Sequence, residues 1–379
     1  MMRRGILLVL PLGLLVLAVG CPPRDPNPSS SNDGSEKNTA TPGELRPRVE
    51  AALASVKGRE LLTTHAFWTI FHAILGMGFE TTLVDPPVLD KDGKVVREAS
   101  TVNAIDYICS GAKVRGMEFI PTLDGLDVAT GKQIFVGQGH QDQFIAEMAQ
   151  WGIARDKKFM VNGKEYTFLD FVNHCRARAS TTKNQELSWA IVIIADYFGT
   201  DHAWTNNLGE KLHFEDIVRY EVDQPIDEAA CGGTHRLFGI TWALHRHLQK
   251  GGPVTGVWLD AAHHLEKYKD VARKTQNSDG SFSTEYFKSP ANAKDAGNRI
   301  ASTGHIFEWL ALYLTDSELE ARWVRDAASA LAVMILDNQE AALEFGSLYH
   351  AAHGLAMYHA RLWGVPESHG PLIPLPPKK

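Results

Sequence analysis

Residues 318–356 read ELEARWVRDAASALAVMILDNQEAALEFGSLYHAAHGLA, and the pattern in this stretch decides the fold. Its first half, 318–337, sets Leu319, Trp323, Ala327, Ala330, Leu331 and Met334 at helical spacing with charges between them. That periodicity predicts a surface helix with one apolar stripe. The second half contains Tyr349-His350-Ala-Ala-His353-Gly-Leu-Ala, which is apolar on every side apart from its histidines. A helix of that composition belongs between two layers rather than at a surface. The unit is a polar helix, a short link and an apolar helix.

Working outward, the unit recurs. Five more apolar segments begin at His65-Ala-Phe-Trp, His140-Gln-Asp-Gln, Ser188-Trp-Ala-Ile, His235-Arg-Leu-Phe and His305-Ile-Phe-Glu. More polar helices are predicted ahead of them over 44–57, 99–111, 168–180, 213–221 and 257–274. Gly76, Gly152, Gly199 and Gly364 each follow an apolar segment, where a residue that accepts the left-handed conformation ends a helix. Between units, Asp90-Lys-Asp-Gly93 and Val161-Asn-Gly-Lys164 carry the residues of hairpin turns. Six such pairs predict an all-α fold over residues 43–364: an (α/α)6 toroid of outer and inner helices with short β-hairpin-like insertions. The competing arrangement is an open solenoid of helix pairs, whose usual repeats of ~34–47 residues fit the longer units poorly.

The links sharpen this reading. Gln185, Gln276 and Gln339 each end an outer helix, two of them within Asn-Gln-Glu and the third within Gln276-Asn-Ser-Asp279-Gly280-Ser-Phe282. Here the chain resembles the terpenoid-cyclase and protein-prenyltransferase superfamily of α-α toroids. In that superfamily a Gln-x-x-x-Gly-x-Trp element joins outer to inner helices. Gln276, Gly280 and Phe282 match it, with Phe in the place of Trp. The resemblance implies a fold rather than an activity, because the cyclases' Asp-x-Asp-Asp motif is absent from the chain. Of the prenyltransferase zinc ligands, Tyr349-His350 and Cys231 have counterparts, but Ala229 stands where that family's Asp-x-Cys has its Asp. Cys231 and His235, four residues apart, can share one helix face, so a zinc site at Cys231, His235 and His350 is one expectation.

In a toroid the inner helices run the same way, so the histidine-bearing starts would converge on one mouth. Helix N-termini favour anionic or polyhydroxylated ligands and disfavour imidazolium. Neutral histidines there suit hydrogen bonding or acid–base work. The candidate catalytic groups are His65, His140, Asp142, His235, Arg236, His305, Glu308 and His353. Asp142 and Glu308 are the candidate carboxylate pair of a glycan hydrolase. His72, His245, His247, His263 and His264 are read as structural or solvated. Two functions are expected from this pattern. One is binding or processing of an envelope-derived ligand, such as a glycan, in the pocket. The other is a non-catalytic scaffold that binds a further envelope protein.

The envelope enters through the chain's beginning. Met-Met-Arg-Arg, an apolar run from Ile6 to Val19 and then Gly20-Cys21 read as a signal peptide over residues 1–20. Leu17-Ala-Val-Gly-Cys21 resembles the bacterial lipobox, with Ala18 where Leu is usual. The resemblance implies that Cys21 is acylated and anchors the protein to a membrane. Residues 21–42 are rich in Pro, Ser and Asn and read as a disordered tether, and 365–379 as a Pro-rich tail. The expected location is the cell envelope, on a periplasmic or other extracytoplasmic face. A formal charge of −7 argues against nucleic acid as a partner. Cys109, Cys175 and Cys231 cannot all pair among themselves, so no disulfide framework is expected. Metabolic labelling with an alkyne fatty acid is expected to mark the protein, and Cys21→Ser to abolish the mark; an unlabelled wild type removes the anchor.

Overall fold

The computed structural model describes residues 41–366. The signal peptide, Cys21, the tether up to residue 40 and the tail from residue 367 lie outside the described residues. In chain order the helices are α1 (Pro42–Lys57), α2 (Phe67–Met77), α3 (Ala104–Cys109), α4 (Gln143–Gln150), α5 (Phe168–Arg178), α6 (Ser188–Tyr197) and α7 (Phe214–Asp223). They continue with α8 (Thr234–Gln249), α9 (Val257–Lys274), α10 (Ala296–Tyr313), α11 (Asp316–Leu319), α12 (Arg322–Asp337) and α13 (Phe345–Trp363). The strands form two-stranded antiparallel pairs only. β1 (Thr82–Asp85) pairs with β4 (Ser100–Asn103), enclosing β2 (Val88–Leu89) and β3 (Val95–Arg97). Then come β5 (Phe119–Pro121) with β6 (Leu126–Val128), β7 (Lys158–Val161) with β8 (Lys164–Thr167), and β9 (Ala203–Thr205) with β10 (Lys211–His213). The fold is mostly α, as the sequence implies. No described helix is long and apolar enough to cross a membrane.

Local chemistry sets these boundaries. Thr41 and Glu44 close a capping box at the start of α1, and Thr167 and Asp170 do the same for α5. Asn162 and Gly163 both have positive φ, which fits the tight turn from β7 to β8 expected from Val161-Asn-Gly-Lys164. Glycines just past α4, α6 and α13 (Gly152, Gly199 and Gly364) adopt the positive φ expected at helix ends. Gly76 does not: it lies inside α2 against Tyr349, and α2 ends at Gly78. Residues 99–111 are not one helix either. Ser100–Asn103 extend as β4 against β1, and only Ala104–Cys109 coil. Two inner helices start earlier than expected, because Asp295 caps α10 and Glu344 caps α13. His305 and His350 therefore sit within helices, not at their starts.

The apolar helices find one another. α2 packs on α4, α4 on α6, α6 on α8, α8 on α10, α10 on α13, and α13 on α2. The more polar α1, α3, α5, α7, α9 and α12 lie against these. Gln276 Nε2 donates to the carbonyls of Gly280 and Trp323, each at 2.8 Å, clipping the end of α9 to the start of α12, one polar helix to another rather than an outer helix to an inner one. Phe282 is buried and meets the Trp323 ring edge-on.

The α10–α13 crossing is close. Glycine stands where the two helices touch: a Cβ on Gly354 would lie 2.9 Å from the Glu308 backbone. Gly354→Ala is expected to cost ~1–3 kcal/mol through overpacking, whereas Gly43→Ala, with nothing within 4 Å, has no such clash. Urea unfolding of the two variants checks this, and equal midpoints would mean the crossing is not tight.

Candidate functional site

Before α8 the chain turns through three consecutive left-handed residues, Cys231, Gly232 and Gly233, with φ of 49, 63 and 81°. A side chain at Gly232 would strike Tyr286 and one at Gly233 would strike Ile226, so the sequence Cys-Gly-Gly fits this turn. The turn delivers Thr234 and His235 as the first residues of α8, facing the inner helices. His235 is buried, with its ring 4.7 Å from that of His140, 5.4 Å from His305 and 5.6 Å from His350. His305 and His350 are closer still, at 4.3 Å, and His72 lies 5.3 Å from His350. Five imidazoles from α2, the start of α4, α8, α10 and α13 thus share one buried core.

The hydrogen bonds of these rings have a common sense. His350 Nδ1 lies 2.7 Å from Glu308 Oε2 and His353 Nδ1 lies 2.6 Å from Glu308 Oε1. His140 Nδ1 lies 2.7 Å from Glu186 Oε2. Within their own helices, His72 Nδ1 lies 2.8 Å from the Trp68 carbonyl and His305 Nδ1 lies 2.7 Å from that of Ala301. Carboxylates and carbonyls only accept, so each Nδ1 carries the proton, and in the neutral ring Nε2 is a bare lone pair. For His72 that lone pair accepts from Gln143 Nε2 at 3.2 Å. Nε2 of His140 is buried without a partner, as are both ring nitrogens of His235. His305 and His350 make no hydrogen bond through Nε2 among the described residues.

Burial governs the charges. It drives His305 down to about 3, aided by the His350 ring, and holds His72 and His235 well below the ordinary histidine range. Burial alone would raise Glu308, but attraction to His350 and hydrogen bonds from His350 and His353 outweigh it and bring the carboxyl to about 2. Glu186 is likewise lowered against burial by His140. Glu147 goes the other way, because burial raises it and a hydrogen bond from Gln143 does not compensate. Burial thus holds His72, His235 and His305 toward the neutral form and Glu147 toward the protonated one, while Glu308 and Glu186 are kept on the ionised side by the histidines that clasp them.

Such a set contains donors placed closely enough that they could hold a metal ion. His235, His305 and His350 offer nitrogens within 4.8 Å of one another, and so do the donors of His72, Glu147 and His350. In the second set Gln143 already occupies His72, which favours the first. Cys231 offers its sulfur to a third set with His140 and His235, all three donors within 4.8 Å of one another. Of the residues named for zinc, His235 and His350 thus share one set with His305, while Cys231 meets only His235 of them in another. Cys109 and Cys175 are free thiols.

Of the catalytic candidates, His140, His235, His305, Glu308 and His353 come together. His65 does not: it packs on Phe345, and its Nδ1 accepts from the Leu62 backbone. Asp142 is tied to Arg178 and Cys175 on α5, away from the cluster, so it forms no carboxylate pair with Glu308. Arg236 turns to Glu221 of α7 at 2.8 Å. His72, read as structural, belongs to the core, as do Gln143, Glu147 and Glu186, which sequence reasoning missed. Their signal was available only as polar residues in otherwise apolar helices. The neutrality expected from helix N-termini comes instead from burial, since only His235 occupies a first helical turn.

No protein-family model matches the chain, and neither curated proteins nor solved structures include a match. The site is therefore read from its own chemistry. Because folded His305 stays neutral down to about 3 while its unfolded value is 6.5, stability is full above 6.5 and falls as pH drops through that window. Glu308 adds a loss between its ordinary 4.5 and about 2. Unfolding curves at successive pH values are expected to show this acid lability, with a shallower slope in His305→Gln. A flat wild-type profile below neutrality contradicts the assignment.

Proposed function

We propose that the protein is an exported, lipid-anchored (α/α)6 toroid that holds a zinc-class divalent metal in its bore through His235, His305 and His350 and uses it on a small ligand of the cell envelope. The toroid reading is supported by the order of inner-helix contacts, which returns from α13 to α2. One observation carries the metal: His235, His305 and His350 each bring a ring nitrogen within 4.8 Å of the others, and in His305 and His350 an acceptor pins Nδ1 and leaves Nε2 as the donor. A ligating histidine characteristically gives its other nitrogen to a carboxylate or backbone carbonyl, which fixes its orientation and raises its basicity. Glu308 and the Ala301 carbonyl do this for His350 and His305.

His235, His305 and His350 would hold such an ion through three nitrogens, the ligand count of catalytic rather than structural zinc sites. An ion there lowers the pKa of bound water or polarises a carbonyl. The protein's part is to hold three nitrogens, keep Glu308 ionised to orient two of the rings, and exclude bulk water with the apolar helices around them. Because the cluster is buried, a small ligand or a single protruding group of a glycan fits better than a chain lying in an open groove. Without a metal, the same neutral histidines remain hydrogen-bonding or acid–base groups.

Elemental analysis of the full-length protein, purified in detergent without chelator or polyhistidine tag, is the direct test. About one equivalent of a divalent transition metal per chain is expected. His305→Ala and His350→Ala should lose it and Cys231→Ala keep it, while Glu308→Gln should weaken affinity ~10–100-fold. Metal-free wild type, with none regained on dialysis against zinc, overturns the reading.

A further inference from the structure

Three histidines do not fill the shell of a zinc-class ion, which takes four ligands or more. The core leaves little for solvent to complete it. Between the described residues, the crevice walled by Trp189, His235, Phe238 and His305 has no room for a water molecule. A further ligand is therefore sought among side chains already in the core.

The neighbouring sets narrow the choice. His140 and Cys231 share a set with His235 alone of the three histidines. His72 shares one with His350, but its Nε2 already accepts from Gln143. Glu147, in the middle of α4, shares that set with His350 and is not engaged in the same way. Gln143 donates to Oε1 at 3.0 Å, whereas Oε2 is buried without a partner. The rings of His305 and His350 are pinned by their acceptors. A glutamate held at one oxygen keeps torsional freedom and can turn the other toward a neighbour.

The surroundings of Glu147 make it an expensive residue. Its side chain is fully buried, with His72 of α2 at 3.6 Å, His350 of α13 close by and the Glu308 charge opposing its own. A buried acceptor with no partner destabilises a fold, and methionine would fill the same space without that cost. A cation beside Oε2 supplies the missing partner. We propose that Glu147 is the fourth ligand of the ion held by His235, His305 and His350, given through Oε2. The inference rests on that three-histidine centre and adds α4 to the helices that enclose it. A ligating carboxylate must be ionised, so any proton on the acid leaves to solvent as the ion enters. The small ligand then reaches the ion by displacing a carboxylate, not by occupying a void.

The test uses full-length protein in detergent, with zinc affinity measured by chelator competition and the coordination sphere read from the visible spectrum of the Co²⁺ form. Outer-shell partners are worth ~10–100-fold in affinity, and a direct ligand is worth no less. Glu147→Gln and Glu147→Met are each expected to weaken zinc at least tenfold and to shift the cobalt band. Metal-free Glu147→Met is expected to unfold at the same or a higher urea concentration than metal-free wild type, because it removes an unmatched polar group. A lower midpoint would make the acid a structural member of the core and overturn the proposal. Affinity and band unchanged in both variants overturn the fourth ligand while the three-histidine centre stands. Wild type that takes up no metal overturns the centre and its fourth ligand together.

Discussion

A carboxylate removed from water needs donors at both oxygens, and Glu308 finds them on a single neighbouring helix. His350 and His353 are three residues apart on α13, so both rings lie on the face that meets α10. That clasp fixes the His350 ring, and the ring sets where the other imidazoles can converge. The helices must approach closely for the clasp to form, and they do so at Gly304 and Gly354, where added Cβ atoms would meet Ala351 and the Glu308 backbone. Site and packing are one constraint: the glycines admit the backbone, and the backbone brings acid to base.

A second clasp stands opposite. Glu186, in the link before α6, holds His140 by a hydrogen bond and lies 4.0 Å from His235 Nδ1. Two acids thus serve four histidines, while His72 and His305 rely on carbonyls of their own helices. Around this polar centre the inner helices are apolar, with Phe67, Phe71, Phe144, Trp309, Tyr349 and Tyr358 almost fully buried. Low-polarity surroundings strengthen every interaction inside and raise the cost of any group left unmatched.

Much of the architecture was legible because its determinants are local. The stripe of Trp323, Ala327 and Met334, the caps and the Asn162-Gly163 turn act within a few residues, and the helices and hairpins formed near where they were expected. The site was legible in kind but not in membership. His305 and Glu308 share a helix, and His350 and His353 share another, so their mutual placement followed from spacing. Asp142 could not be judged that way, because what removes it is Arg178 on another helix. His72 was passed over because one histidine in an apolar helix has no local signal; its partners Gln143 and Glu147 are set by the α2–α4 contact. The misplaced starts of α10 and α13 have a similar cause. Caps at Asp295 and Glu344 act on backbone atoms and carry less weight in a hydrophobic pattern than they do in the folded chain.

The seam between the first and last units has a further consequence. Trp68 donates to Glu344, and Arg59 reaches the carbonyls of Asn338 and Ala341, contacts joining residues 276 to 282 positions apart. Partners so distant in sequence make folding slow, since chain closure must precede their reward. His350 and the face that covers both α2 and α10 belong to α13, which follows every other described helix in the chain. Until α13 arrives, the apolar sides of α2 and α10 have no cover, and a chain in that state is prone to associate with others like itself. Arrival of α13, closure of the histidine cluster and escape from aggregation are thus the same event.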